Sequence, residues 1–245
     1  MKKEEVLKLL ELCNIEINTN LATEDNWERI ELPLIDSSFA KKEDLLFFSG
    51  ASKSVIIPNN EKYVIKIPYD GYQLEETLSN SFTSCSKKEE TYEYDFLNFY
   101  EFEGANAYDY WDYCLQETII YHYAKKKKVE KVFAKTRRIG EVKGRPIYIQ
   151  ERAISSKEYS GGILPDERAY KEISKKTNEI CKDSSYSFKE IDPIWKANAY
   201  LYYGEKKFKD IMNFITEYMI EDLHDGNLGY IKDRPVIMDY SDYNS

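Results

Sequence analysis

Between Glu221 and Tyr240 the chain sets out an acid, Asp222, an amide five residues later, Asn227, and a second acid, Asp239, after the apolar Val236, Ile237 and Met238. A hairpin through Lys232, Asp233, Arg234 and Pro235 returns Asp239 beside the other two. Gly226 is expected to take a backbone angle that other residues resist. This layout suits phosphoryl transfer: Asp222 would orient an attacking hydroxyl and accept its proton, while Asn227 and Asp239 would hold magnesium ions on ATP. Magnesium keeps several waters, so one amide and one carboxylate suffice alongside phosphate oxygens. Asp, Gly and Asn also make ordinary turns, and a solvated acidic turn between two strands is the competing reading.

The run Asp222-Leu223-His224-Asp225-Gly226-Asn227 resembles the catalytic loop of the protein-kinase-like superfamily. It is most similar to the form in aminoglycoside phosphotransferases and compact phage-encoded Ser/Thr protein kinases. The resemblance implies an α+β, bilobal kinase-like fold, with an antiparallel N-lobe sheet and a truncated, mostly helical C-lobe. It implies catalytic roles for Asp222, Lys66 and His224, the last standing where protein kinases carry a lysine. Asn227 and Asp239 would be the metal ligands, and ATP and Mg2+ the cofactors.

Upstream residues follow the family's order. Strands are expected at Leu46 to Phe48, Val55 to Ile57 and Tyr63 to Ile67, with a small-residue turn through Ser49, Gly50, Ala51, Ser52, Lys53 and Ser54 that lets backbone amides approach nucleotide phosphates. The family's loop has three glycines; here only Gly50 is present. Lys66 lies on the third strand, in Val64-Ile65-Lys66. A helix over 109–128 puts Cys114, Glu117, Ile120, Tyr121 and Ala124 on one face. A carboxylate on an apolar face needs a buried partner, and Lys66 is the candidate, matching the lysine–glutamate pair of kinases. Glu117 therefore joins the nucleotide-binding set with Gly50, Ala51, Ser52 and Lys66. Glu151 and Ala153, after strands over 132–139 and 146–150, sit where a kinase hinge would meet adenine.

The remainder divides into an N-terminal extension (1–44), an N-lobe (45–152) with an insertion at 68–107, and a C-lobe (153–245). Within 1–44 an amphipathic helix carries Val6, Leu9, Leu10 and Cys13, and one strand is expected at Ile30 to Leu32. Helices are expected over 166–181 and 192–203, then one bearing Phe208, Ile211, Met212, Ile215 and Met219. The chain ends six residues after Asp239. That ending favours a minimal protein kinase acting on Ser or Thr over a small-molecule phosphotransferase, whose acceptor pocket would have to come from 68–107 or 166–203. A pseudokinase that binds nucleotide and acts through a partner shares every motif.

Composition narrows the partners. A formal charge of −9 and a pI near 5.0 argue against nucleic-acid binding and favour basic protein substrates. The lysines at 125–128 are expected to cap a helix C-terminus. No stretch approaches the ~20 apolar residues of a membrane span, and residues 1–5 do not read as a signal peptide. The 4 cysteines lack metal-ligand spacing, and with 2 histidines a zinc site is hard to assemble. A cytoplasmic protein is expected, in the host cytoplasm if phage-encoded; the oligomeric state is not legible.

Overall fold

The computed structural model describes residues 3–12, 15–21, 27–35, 37–49, 53–59, 61–68, 70–73, 113–142, 145–159, 166–182, 191–220 and 222–240. They form an α+β architecture with antiparallel sheets and several helices. The chain divides into two compact units. Of the described residues, the first takes those within 1–119 and 137–150, and the second those within 120–136 and 151–240.

In the first unit a five-stranded sheet runs in the order β3-β4-β5-β8-β7. Its strands are β3 (Leu45–Ser49), β4 (Lys53–Pro58), β5 (Tyr63–Pro68), β7 (Thr136–Val142) and β8 (Arg145–Glu151). In β4 and β5 the register pairs Val55 with Lys66 and Ile56 with Ile65. Successive strand residues face opposite sides, so the sheet has two chemically different surfaces. Ile56, Ile65 and Ile67 belong to the apolar core with Ile139, Val142 and Ile147, while Lys53, Val55 and Lys66 lie on the other surface.

Helix α1 (Lys3–Leu12) completes that core. Val6 and Leu10, one helical turn apart, are 1% and 0% exposed within it, and Leu7 and Leu9 pack against it. Burying this stripe holds a short helix that would be marginal alone. Cys13 lies outside the described residues. The one strand expected within 1–44, Ile30 to Leu32, falls within β2 (Trp27–Ile35), and the structure adds β1 (Ile15–Leu21) and the short helix α2 (Ser37–Lys42). With β6 (Asp70–Gln73), the first two make a sheet in the order β1-β2-β6. Each strand's alternation is brief, and pairing across it supplies what local pattern does not. The insertion expected at 68–107 lies outside the described residues beyond Gln73.

Helix α3 (Tyr113–Lys126) carries most of the expected stripe: Cys114, Glu117, Ile120 and Ala124 are fully buried, while Tyr121 is half-buried. The second unit holds α4 (Glu167–Ile180), α5 (Pro193–Tyr203) and α6 (Glu205–Glu217). Asp166 caps α4 by accepting from Ala169 N at 2.9 Å. Asp192 caps α5 ahead of Pro193, the arrangement a helix start favours. Phe208, Ile211, Met212 and Ile215 are buried along α6. Met219, expected on the same stripe, lies past the helix end with φ 46° and is 51% exposed. The chain has turned there, so helical spacing no longer applies.

A small sheet in the order β11-β10-β9 closes this unit: β9 (Ile154–Ser155), β10 (Leu228–Ile231) and β11 (Arg234–Ile237). The expected hairpin forms with a tighter turn, since Arg234 already pairs with Ile231. Lys232 takes a left-handed φ of 58° in that turn. Pro235 sits on the edge strand β11, where its missing N–H costs no ladder bond. Among the described residues no helix is long and apolar enough to cross a membrane.

Candidate functional site

The residues that the sequence singles out fall into two clusters, one in each unit. In the first, Lys66 Nζ lies 2.6 Å from Glu117 Oε1, the two side chains 5% and 0% exposed. The expected ion pair therefore forms, and two further groups join it. Lys53 Nζ donates to the same Oε1 at 3.2 Å, and Gln150 Nε2 donates to Oε2 at 3.1 Å. Buried lysine and glutamate persist in proteins only when paired, and here both carboxylate oxygens are engaged. Lys53 reads from sequence as part of a loop because it follows small polar residues. What places it is the register of β4, which pairs Lys53 with Pro68 and sets it diagonal to Lys66 on one sheet surface. Gly50, Ala51 and Ser52 lie outside the described residues.

The hinge candidates are half-buried. Glu151 N–H donates to Lys135 O at 3.1 Å and is committed within the protein. The Glu151 carboxylate is also occupied: Oε2 accepts from Lys135 N at 3.1 Å and from Arg234 Nη2 at 3.0 Å. Arg234 Nη1 continues to Lys131 O at 3.0 Å. Glu151 thus joins Lys135 to the β10–β11 hairpin through its side chain, a role no local pattern announces.

The second cluster is the loop 222–227. Ile220 and Leu223 are fully buried and anchor it from either side, leaving Asp222 between them with a side chain 43% exposed. Asp222 adopts φ 55°, a left-handed backbone that Asp tolerates better than most side chains. Asn227 Nδ2 donates to the Asp222 carbonyl at 2.8 Å and to Oδ2 at 3.0 Å. With its nitrogen so committed, the amide's other end, Oδ1, is the atom suited to a cation.

His224 takes its place from Gly226. The Gly226 N–H donates to His224 Nδ1 at 2.9 Å, and Nε2 lies 3.5 Å from Asp222 Oδ1. An accepting Nδ1 carries no proton, so the imidazole proton is on Nε2. This corrects the reason for the glycine. Gly226 has no positive φ; the strained residue of the loop is Asp222. A Cβ at Gly226 would stand 2.6 Å from His224 Cε1 and 2.9 Å from Nδ1, so the ring needs the bare backbone.

The loop is pinned by residues that sequence reasoning passed over. Ser156 Oγ donates to Asp225 O at 2.9 Å, and Lys157 Nζ lies 3.3 Å from Asp225 Oδ2. Gly229 allows β10 to enter its sheet: a Cβ there would meet Ile154 O at 2.5 Å. Met238 N–H donates to Asn227 O at 2.7 Å just beyond the Leu228–Ile237 pair, so Asp239 follows one residue past Asn227's partner. No family model, curated protein or solved structure matches the chain. Among the described residues no group of three or more His, Cys, Asp or Glu is placed to hold a metal. The donor set at hand is Asn227 and Asp239, which suits a hard cation that retains water or phosphate oxygens and not a zinc ion.

Proposed function

We propose that the chain is an ATP-dependent phosphotransferase with a kinase-like division of labour, most simply a protein kinase acting on Ser or Thr hydroxyls. The observation that carries the reading is the contact of Lys66 with Glu117. These residues stand 51 apart in sequence, one on a strand and one on a helix, and meet at 2.6 Å in a buried environment. Burying such a pair costs desolvation that its attraction does not readily repay, so stability alone is a weak reason for it. The Asp222–Asn227 pairing supports the same reading, because it aims one carboxylate and frees one amide oxygen within a single loop.

In this reading Lys66 meets the phosphates, and Glu117 fixes its direction. The acceptor oxygen bonds to the γ-phosphorus, the bond from that phosphorus to the β–γ bridging oxygen breaks, and ADP leaves. The proton released from the hydroxyl passes to Asp222. Asn227 Nδ2 holds that carboxylate through Oδ2, and His224 Nε2, 3.5 Å from Oδ1, adds electrostatic support. Magnesium, held by Asn227 Oδ1 and Asp239 with phosphate oxygens, would offset the charge of the phosphates.

The test is incubation of the protein and a cell lysate with ATP labelled at the γ-phosphate, beside a nucleotide titration. Labelled protein bands are the expected result. ATP binding without transfer would leave a nucleotide-binding protein that acts through a partner. Labelled small molecules would move the assignment to a metabolite phosphotransferase, and absence of any ATP binding would end the reading.

A further inference from the structure

Glu117 is shared by two lysines, and we propose that the second, Lys53, is a phosphate ligand alongside Lys66, so that a pair of ammonium groups recognises the phosphate chain. The inference rests on the nucleotide reading above and names a residue that the family order does not supply. Both ammonium groups meet the same atom, Glu117 Oε1, at 2.6 Å for Lys66 and 3.2 Å for Lys53. The other carboxylate oxygen, Oε2, accepts from Gln150 Nε2 at 3.1 Å. Two like charges converging on one oxygen repel each other, and at side-chain exposures of 5% and 6% bulk water screens them little.

An incoming anion relieves that repulsion. Polyphosphate offers several charged oxygens along one chain, and one lysine can remain on Glu117 while the other turns to them. Lys53, at the longer distance, exchanges partners with the smaller loss. The β4–β5 register sets the two residues diagonal on one sheet surface, so both side chains reach the same place.

The test uses the wild-type protein and an acyl-phosphate derivative of ATP. A lysine Nζ contacting the phosphates attacks the acyl carbonyl, an amide bond forms, the carbonyl–oxygen bond to phosphate breaks, ATP departs and the amine loses a proton to water. Peptide mapping should find the acyl group on Lys53, alone or together with Lys66, and excess ATP should suppress it. ATP-suppressed label confined to Lys66 would overturn the role of Lys53 while leaving the nucleotide reading intact. Suppressible label at neither lysine, with no ATP binding by titration, would remove that reading and this inference together. A second measurement uses Lys53→Met, which keeps an unbranched stem. Affinity for ATP and ADP should fall roughly tenfold or more, with adenosine unchanged. An equal loss for all three ligands would make Lys53 a structural counter-ion only.

Discussion

Asn227 reaches back to Asp222 and holds it twice through a single nitrogen, 2.8 Å to the backbone carbonyl and 3.0 Å to Oδ2. One amide thus fixes both the left-handed backbone of Asp222 and the direction of its carboxylate. The same geometry separates the roles of the acids along this loop, and each role can be tested on its own.

Asp222→Asn should keep magnesium-ATP affinity while transfer falls by roughly 100-fold or more, the usual worth of a positioned general base. Asp239→Asn should weaken magnesium-dependent nucleotide binding along with transfer. Asp225 is the internal control, because its carboxylate is turned to Lys157 at 3.3 Å. Titration and transfer assays at several magnesium concentrations compare the three; a silent Asp222→Asn beside an inactive Asp225→Asn would reverse their roles.

Glu117→Gln should be the most destabilising change in the buried cluster. It takes the negative charge from both Lys53 and Lys66, and breaking a buried ion pair costs about 3–5 kcal/mol. Lys66→Met should cost less, since Lys53 still meets the carboxylate. Chemical denaturation of the single variants and of the double variant should show a double cost well below the sum. Additive costs would uncouple the two residues.

Gly226→Ala should displace the His224 ring, because the new Cβ would lie 2.6 Å from Cε1. Nitrogen NMR of the wild type should show a neutral imidazole protonated at Nε2. The variant should lose that defined tautomer and lose transfer, with little change in melting temperature. An unchanged imidazole spectrum in the variant would refute the steric role of the glycine.

Tyr203 should make stability depend on alkaline pH. Its hydroxyl lies 2.8 Å from Lys131 O and 2.7 Å from Pro235 O, and burial pushes its pKa well above the ordinary tyrosine value. The folded state therefore holds this proton more tightly than the unfolded chain. Its contribution is complete below the unfolded value of about 10 and is lost as pH climbs toward the raised folded value. Tyr203→Phe should cost about 1 kcal/mol or more at neutral pH. The gap between wild type and variant should narrow above about pH 10; a gap that stays constant there would contradict the shift.

The α+β composition, the amphipathic stripes of α1, α3 and α6, and the β10–β11 hairpin are legible in the sequence because each is carried by neighbouring residues. Helical period and turn chemistry act over a few positions, so Val6 with Leu10, or Lys232 with Asp233, announce themselves. Glu117 was legible for a related reason: a carboxylate within an apolar stripe demands a partner, and Lys66 was the lysine of a recognisable strand. The tertiary structure alone decided that Lys53 shares that carboxylate, that Gln150 takes its other oxygen, and that Arg234 binds Glu151 across 83 residues of chain. It also decided that the loop's strain sits at Asp222 while Gly226 makes room for a ring. These contacts depend on strand register and chain closure, which join residues whose local sequences carry no trace of one another.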